Sequence, residues 1–304
     1  MKIAVIGAGA MGSIYGGHLS LNNEVYLVDT NQTVVDAINK NGLIIQENGE
    51  DVIYHPTAVT NTDGLPHMDL IILFVKALFS QAALNGNKSL IGPDTYLMTL
   101  QNGSGHEDIL SEFVNEDHII IGTTEDNGAV LEAGHVRRGG IGNTNIGMLT
   151  EDKNNFLPVL KKELDACGFH GFIHENIQQL IWNKLFTNVS LSAVTGVLQV
   201  PIGYIASNEY AWSITKKLIH EAVAVAHGLG LEANEEEITE KVRLTSVNSP
   251  EGITSICADI RAGRKTEVNT ISGSVVRAAK KCKIPAPTHE LIVEIIHALE
   301  ERNN

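Results

Sequence analysis

The chain has 304 residues, 43% of them hydrophobic and 19% charged, enough for a sizeable core in one large or two medium domains. A formal net charge of −14 argues against a nucleic-acid or anionic-membrane footprint, so any anionic ligand must be held by a local constellation. No run reaches the roughly 18–20 apolar residues of a membrane span, and the short apolar start followed by glycines does not read as a signal peptide. Cys167, Cys257 and Cys282 are odd in number and far apart, which fits unpaired thiols in a reducing cytoplasm. The twelve histidines show no ligand spacing, and no metal is expected.

Lys2 to Ile6 reads as a buried parallel strand, and it leads directly into Gly7-Ala8-Gly9-Ala10-Met11-Gly12. This G-x-G-x-x-G sits at a strand-to-helix junction, where each glycine has its own task. Gly7 permits the turn, Gly9 lets a pyrophosphate approach the backbone, and Gly12 allows the helix to pack closely on the sheet. Amides at the helix N-terminus then bind the anion. A second strand, Glu24 to Val28, ends in Asp29, about 20 residues beyond the first glycine, where an acid meets the ribose hydroxyls of an adenosine. Strand, glycine turn, helix, second strand and terminal acid together predict a dinucleotide site.

Gln32 to Lys40 has helical periodicity, and Asn48-Gly49 predicts a hairpin across 42–54. The segments 69–75, 95–100 and 118–122 are short apolar runs suited to central parallel strands. Lys76 and Asn102 follow two of them, so they gather with Asp29 at the carboxyl edge where open parallel sheets bind ligands. Residues 130–147 alternate with glycine pairs and predict antiparallel strands extending that sheet. A helix over 155–166 and a strand over 169–173 follow. His106 reads as part of a first helical turn with Glu107 and Asp108, not as a catalytic group.

From about residue 175 only the 3.6-residue period persists, with helices expected at 177–194, 209–229, 235–246, 251–263, 267–282 and 287–301. The terminal Asn303 and Asn304 are expected to fray. The fold class is therefore α/β: a Rossmann-type, mostly parallel sheet domain over 1–173, followed by an all-helical domain over 174–304. The apolar C-terminal helices offer either a homodimer interface or simply a core.

Lys184, Asn188 and Ser192 stand at i, i+4 and i+8 on one helix face, which makes them candidates for a substrate cleft. A lysine at that position equally suits a snorkelling surface role. Farther on, Thr254-Ser255 leads through Asp259 to Arg264-Lys265-Thr266-Glu267. Thr266 can cap a helix that Glu267 opens; alternatively, Glu267 is a functional partner that holds Lys184.

These motifs resemble the ketopantoate reductase (2-dehydropantoate 2-reductase) family. The resemblance rests on GAGAMG, V-K-A at 75–77, Q-N-G at 101–103, T-T at 123–124, G-H-V-R at 134–137, W-N-K-L-x-x-N at 182–188, and S-x-x-x-D-I-x-x-G-R-K-T-E-V-N at 255–269. It implies reduction of a 2-oxo acid to the (R)-2-hydroxy acid with NAD(P)H. By the same resemblance, Lys184 donates to the ketone oxygen and Glu267 orients Lys184 and meets the substrate and cofactor. Asn188, Ser192, Ser255 and Asn102 bind the substrate. Gly7 to Gly12, Asp29, Lys76 and Asn102 line the cofactor.

Three departures shape the expectation. Asp29 stands where NADPH-preferring relatives carry a basic residue, and a carboxylate repels a 2′-phosphate, so NADH is expected over NADPH. Ser192 replaces a second asparagine that reaches the distal group of ketopantoate. The run N-G-x-G-H-E-D at 102–108 resembles a branch of NADH-linked D-2-hydroxyacid (D-mandelate type) dehydrogenases, which take branched or aromatic 2-oxo acids. A catalytically silent dinucleotide sensor is a further alternative, but it would be expected to have lost Lys184 or Glu267.

Overall fold

Short apolar strands alternate with helices through the first half of the chain, and the computed structural model resolves them as β1 (Lys2–Ile6), α1 (Ala10–Leu19), β2 (Glu24–Val28), α2 (Gln32–Asn41), β3 (Leu43–Glu47), β4 (Glu50–Tyr54), β5 (Thr57–Val59) and β6 (Leu70–Leu73). Then come α3 (Ser80–Gly86), β7 (Tyr96–Thr99), α4 (Glu107–Leu110), β8 (Ile119–Thr124), β9 (Asn127–Glu132), β10 (His135–Gly140), β11 (Asn143–Met148), α5 (Phe156–Ala166) and β12 (His170–Ile173). The structure describes residues 1–302, and Asn303 and Asn304, expected to fray, lie outside the described residues. Among the described residues two compact units form: residues 1–101 with 106–177, and residues 102–105 with 178–302.

The main sheet of the first unit runs β12-β11-β8-β7-β6-β1-β2-β5. Strands β5, β2, β1, β6, β7 and β8 are parallel, and β11 closes antiparallel against β8. The chain leaves β1 for β2 on one side, while β6 pairs β1 on the other, so strand order switches at β1/β6. Such a switch opens the crevice in which doubly wound sheets hold ligands.

One expectation needs correction. Strands β9 and β10 do not extend the main sheet; they join β3 and β4 in a separate sheet of order β4-β3-β10-β9. The burial pattern explains why. The β11 strand is buried at all but its first position and suits a sheet covered on both faces, whereas β9 is almost wholly exposed. The link is the parallel pairing of β10 with β3, His135 opposite Ile44. Helix α1 consequently packs against β1 and β2 on one side and β3, β9 and β10 on the other, with eight of its ten residues buried.

A buried ionic cluster joins these layers. The Arg138 Nε and Nη2 atoms of β10 lie 2.8 and 2.6 Å from Asp126 Oδ1, and Nη1 lies 3.6 Å from Glu47 of β3. Glu47 in turn meets His18 Nε2 of α1 at 2.5 Å. The guanidinium rests 5.0 Å from the Phe169 ring, on which Tyr15 stacks at 4.1 Å. Burial, together with the Asp126 charge, outweighs the hydrogen bonds that the phenol shares with Thr124 and Thr144 and pushes Tyr15 well above its ordinary value.

The second unit is helical: α6 (Ile177–Leu198), α7 (Gly203–Ser207), α8 (Glu209–Gly228), α9 (Glu235–Asn248), α10 (Ser255–Arg261), α11 (Ser272–Cys282) and α12 (Pro287–Glu301). Asn208 and Asn234 cap α8 and α9 by accepting two backbone N–H bonds each. The Glu221 carboxylate of α8 caps α12, accepting from the amides of Thr288 and His289 at 3.0 and 3.1 Å. Beside it, His289 is fully buried and donates from Nε2 to the Leu218 carbonyl at 3.0 Å.

Two helix starts differ from expectation. The helix expected from 251 begins at Ser255, because the Thr254 hydroxyl caps it by accepting from the Cys257 amide. The helix expected from Glu267 begins only at Ser272. Ile271 at φ −98°, ψ −97° lies outside helical geometry, and residues 264–271 form an irregular stretch ending in a turn.

Candidate active site

The dinucleotide fingerprint is built as its glycines require. Gly7 has φ +105°, and a Cβ there would lie 2.8 Å from the Val75 amide nitrogen, so the loops after β1 and β6 meet across the switch point. A Cβ on Gly12 would collide with the Gly7 carbonyl oxygen. On Gly9 it would meet nothing within 4 Å, leaving that side of the backbone open to a phosphate. Gly9 caps α1, and the Ser13 amide returns to its carbonyl at 2.9 Å. The amides of Ala10, Met11 and Gly12 therefore belong to the first turn, whose N–H groups have no partner within a helix.

Asp29 does two things. It ends β2 half-buried, and its carboxylate already accepts from the Ala8 amide at 2.7 Å and the Asn31 amide at 2.8 Å. Each oxygen has a second lone pair, so a ribose diol can add its hydrogen bonds to a carboxylate the backbone has oriented. Ala8, buried, is thereby fixed to the end of β2. The residues present fit a dinucleotide: an open backbone cradle, a helix N-terminus and an oriented acid.

Sequence reasoning gave Gln101 no role of its own. Its side chain donates to the Val75 carbonyl at 2.5 Å and to Ser80 Oγ at 3.0 Å, and accepts from Thr99 Oγ1 at 2.8 Å. It thereby locks together the loops after β6 and β7, beside exposed Lys76. Its position just after a buried strand was the available signal. His106 is buried and occupies the N-cap of α4, with Glu107 and Asp108 in the first turn.

Asn102 belongs to the second unit although it follows a strand of the first. The Ser104 amide donates to the Thr270 carbonyl at 2.9 Å. At φ +97°, Gly103 adopts a conformation suited to glycine, and a Cβ would clash with that same carbonyl. The Asn102–Gly105 segment is thus seated on the turn that carries Glu267.

Along α6, exposure falls steadily from exposed Lys184 through half-buried Asn188 to buried Ser192. One turn past Ser192, Thr195 Oγ1 meets Thr254 Oγ1 at 2.7 Å, which seats the start of α10, and hence exposed Ser255, on α6. Asp259 at the end of α10 accepts from the Arg264 Nε at 2.7 Å and leads into the Glu267 stretch. Glu267 is half-buried, and its carbonyl closes the turn by accepting from the Thr270 and Ile271 amides at 3.0 and 3.1 Å. One helical unit therefore carries Lys184, Asn188, Ser192, Ser255, Glu267 and Asn102.

A Rossmann-type sheet with a helix-capped glycine cradle, followed by a helical unit bearing a lysine, asparagines and a glutamate, defines a class of two-part nicotinamide oxidoreductases. The family description "Ketopantoate reductase PanE/ApbA" matches residues 3–151, and its C-terminal counterpart matches 176–300. The chain is 31% identical over 302 residues to a 2-dehydropantoate 2-reductase of Streptococcus pyogenes serotype M6, covering 99% of this chain and 98% of the relative. It is 32% identical over 304 residues to one from Pyrococcus horikoshii, with the same coverage. Among solved structures, D-mandelate dehydrogenase with NADH and anilino(oxo)acetate superposes with a TM-score of 0.88 at 31% identity, covering 100% of this chain and 99% of that one. The ketopantoate reductase of Ralstonia eutropha JMP134 gives 0.87 at 25%, with the same coverage. The chain belongs to the ketopantoate reductase family, and it is an oxidoreductase acting on a CH–OH/keto group with a nicotinamide cofactor. No helix among the described residues is long and apolar enough to cross a membrane.

Proposed function

We propose that this enzyme reduces a 2-oxo acid to its (R)-2-hydroxy acid with NADH in preference to NADPH, and that ketopantoate is the leading substrate. The observation that carries this reading is the membership of one unit. Asn102, from the first half of the sequence, joins the helical body that bears Lys184, Asn188, Ser255 and Glu267. In this reading, residues 1–173 hold the cofactor and 174–304 bind the substrate and supply most of the chemistry. When bound, the nicotinamide supplies the hydride that reduces the ketone carbon.

Lys184 donates a hydrogen bond to the ketone oxygen and gives up its proton as negative charge builds there, a combined acid and electrostatic role. Glu267 orients the ammonium group and accepts from the substrate's distal hydroxyl. Asn188, Ser192 and Ser255 hold the substrate's polar groups, with Asn102 and Lys76 lining the cofactor side. Asp29 accepts from the adenosine ribose, and its charge disfavours a 2′-phosphate. Three unpaired cysteines, two of them buried, support a reducing cytoplasmic setting, and the apolar C-terminal helices suit a homodimer.

A second reading is an NADH-linked D-2-hydroxyacid dehydrogenase of branched or aromatic 2-oxo acids. Buried Ser192, Asp29 and the 102–108 run favour it, as does similarity to a D-mandelate dehydrogenase. The deciding experiment compares kcat/KM for ketopantoate, 2-oxoisovalerate, 2-oxoisocaproate and benzoylformate with each cofactor. A preference for ketopantoate of about a hundredfold supports the leading reading and a place in pantothenate biosynthesis. A preference for the apolar acids supports the second. Dinucleotide binding with no turnover on any of them would leave a silent sensor.

A further inference from the structure

We propose that Glu300, on the last helix and assigned no role so far, is the positioning residue that sets Glu267; the proposal rests on the reading of Glu267 as part of the reaction site. Residues 264–271 lie in neither helix nor strand, so no ladder of backbone hydrogen bonds fixes the segment that presents Glu267. The Glu300 side chain, only 2% exposed, supplies that fixation. Its Oε1 accepts from both the Thr266 amide and the Thr266 hydroxyl, each at 2.7 Å. Its Oε2 lies 2.9 Å from His297 Nδ1 and 3.6 Å from Lys265 Nζ.

The cluster grips both sides of Glu267. Thr266 precedes it directly, and the Thr266 hydroxyl also accepts from the Val268 amide at 3.2 Å. His297 extends the grip to the far side, its Nε2 3.1 Å from Asn269 Oδ1. Residues 265, 266, 268 and 269 are therefore all tied, directly or through one side chain, to a single buried carboxylate. Burial works to raise the Glu300 pKa, but the hydrogen bonds from Thr266 and His297 outweigh it and hold the group below the ordinary carboxylate value.

A buried carboxylate is an inefficient means to stability, because its desolvation offsets most of the attraction and apolar packing serves as well. It is an effective means to geometry, because charge-assisted hydrogen bonds are short and directional. The same turn accepts the Ser104 amide at the Thr270 carbonyl, so the Asn102 segment inherits the setting.

The test is a double-mutant cycle on the 2-oxo acid that the full-length enzyme prefers, with Glu300→Ala, Glu300→Gln, Glu267→Gln and the Glu267→Gln/Glu300→Ala double variant. Glu300→Ala is expected to lower kcat/KM by about 30-fold or more, with the Kd for NADH unchanged. Glu300→Gln keeps Oε1 as the acceptor for Thr266 and is expected to recover all but about threefold. In the Glu267→Gln background, the Glu300→Ala change is expected to have no further effect, because it acts through Glu267. A loss of the same factor in both backgrounds, or Glu300→Ala activity within about threefold of wild type, overturns the proposal.

Should Glu300→Ala fail to fold, Thr266→Val removes only the shared hydroxyl and is expected to lower kcat/KM about tenfold, with no loss overturning the proposal. Amide hydrogen exchange separates this proposal from the functional reading on which it rests. If wild-type enzyme reduces no 2-oxo acid, that reading falls. Faster exchange confined to 265–271 in Glu300→Ala would then still support positioning, while unchanged or uniformly faster exchange would refute it.

Discussion

The Gly7–Gly12 loop and the Arg264–Ile271 stretch solve the same problem with opposite materials. The loop presents backbone. Its amides, its open side at Gly9 and its collision-free contact between Gly12 and the Gly7 carbonyl need no side chains beyond Asp29. The later stretch presents side chains, and it is held by other side chains: Asp259 at Arg264, Glu300 and His297 around Thr266 and Asn269. A backbone site is encoded locally, in glycines that can be read one after another. A side-chain site depends on residues brought together only by folding.

Four changes test how far that division holds. The largest effect is expected at the side-chain site. Lys184→Ala should reduce kcat by about 10³-fold, the range of a lost general acid with electrostatic assistance. Fluorescence titration should show NADH affinity unchanged. Near-wild-type turnover would remove Lys184 from the chemistry.

Gly12→Ala reverses the pattern. Its methyl group must displace the Gly7 carbonyl, a cost of about 2 kcal/mol in the overpacking range. NADH affinity is expected to fall at least tenfold, with a lower Tm for the first unit, while denaturation of the second unit stays unchanged by hydrogen exchange. Unaltered NADH binding would show that the cradle does not hold the pyrophosphate.

A smaller shift sharpens the comparison at the one side chain the loop needs. Asp29→Asn keeps one acceptor for the Ala8 or Asn31 amide but removes the charge. The ratio of kcat/KM for NADH over NADPH is expected to fall about tenfold, or roughly 1.4 kcal/mol. An unchanged ratio would mean that cofactor choice is made elsewhere.

The smallest effect concerns acid stability. Burial depresses the His289 pKa below its ordinary value of 6.5, despite the Leu218 carbonyl and the Glu221 charge. The unfolded chain therefore binds the proton more readily than the folded one. The stabilisation is present above pH 6.5 and is lost progressively as pH falls below it, so unfolding should become easier between pH 7.5 and 5.5. Urea unfolding of wild type and His289→Asn at the two values should show the slope in wild type and a flatter one in the variant.

The same division governs what the sequence makes legible. The first strand, the glycine turn, α1, β2 and Asp29 can be read because their interactions lie within thirty residues of one another. Lys184 and Asn188 are legible because helical spacing places them on one face. The sheet that β9 and β10 join is not, since alternation reports a strand but not its partner, and β10 pairs with β3 from far upstream. Thr266 followed by Glu267 looks like a helix start, yet the hydroxyl is shared between Val268 and a carboxylate 34 residues away. Asp126 and Arg138 likewise carry no local signal of their pairing, since only the folded β9–β10 hairpin brings them together and buries them.

Helix α1 is walled in by two sheets and pinned at His18, Tyr15 and its N-terminal loop. Its consequence lies in the thermodynamics of cofactor capture. Ordering a mobile six-residue loop would cost on the order of 1–2 kcal/mol per residue, and a loop already set by its helix avoids that cost. NADH association should then carry little unfavourable conformational entropy and proceed without a slow ordering phase. The cofactor would then meet a cradle whose shape is set by the fold and not by the ligand.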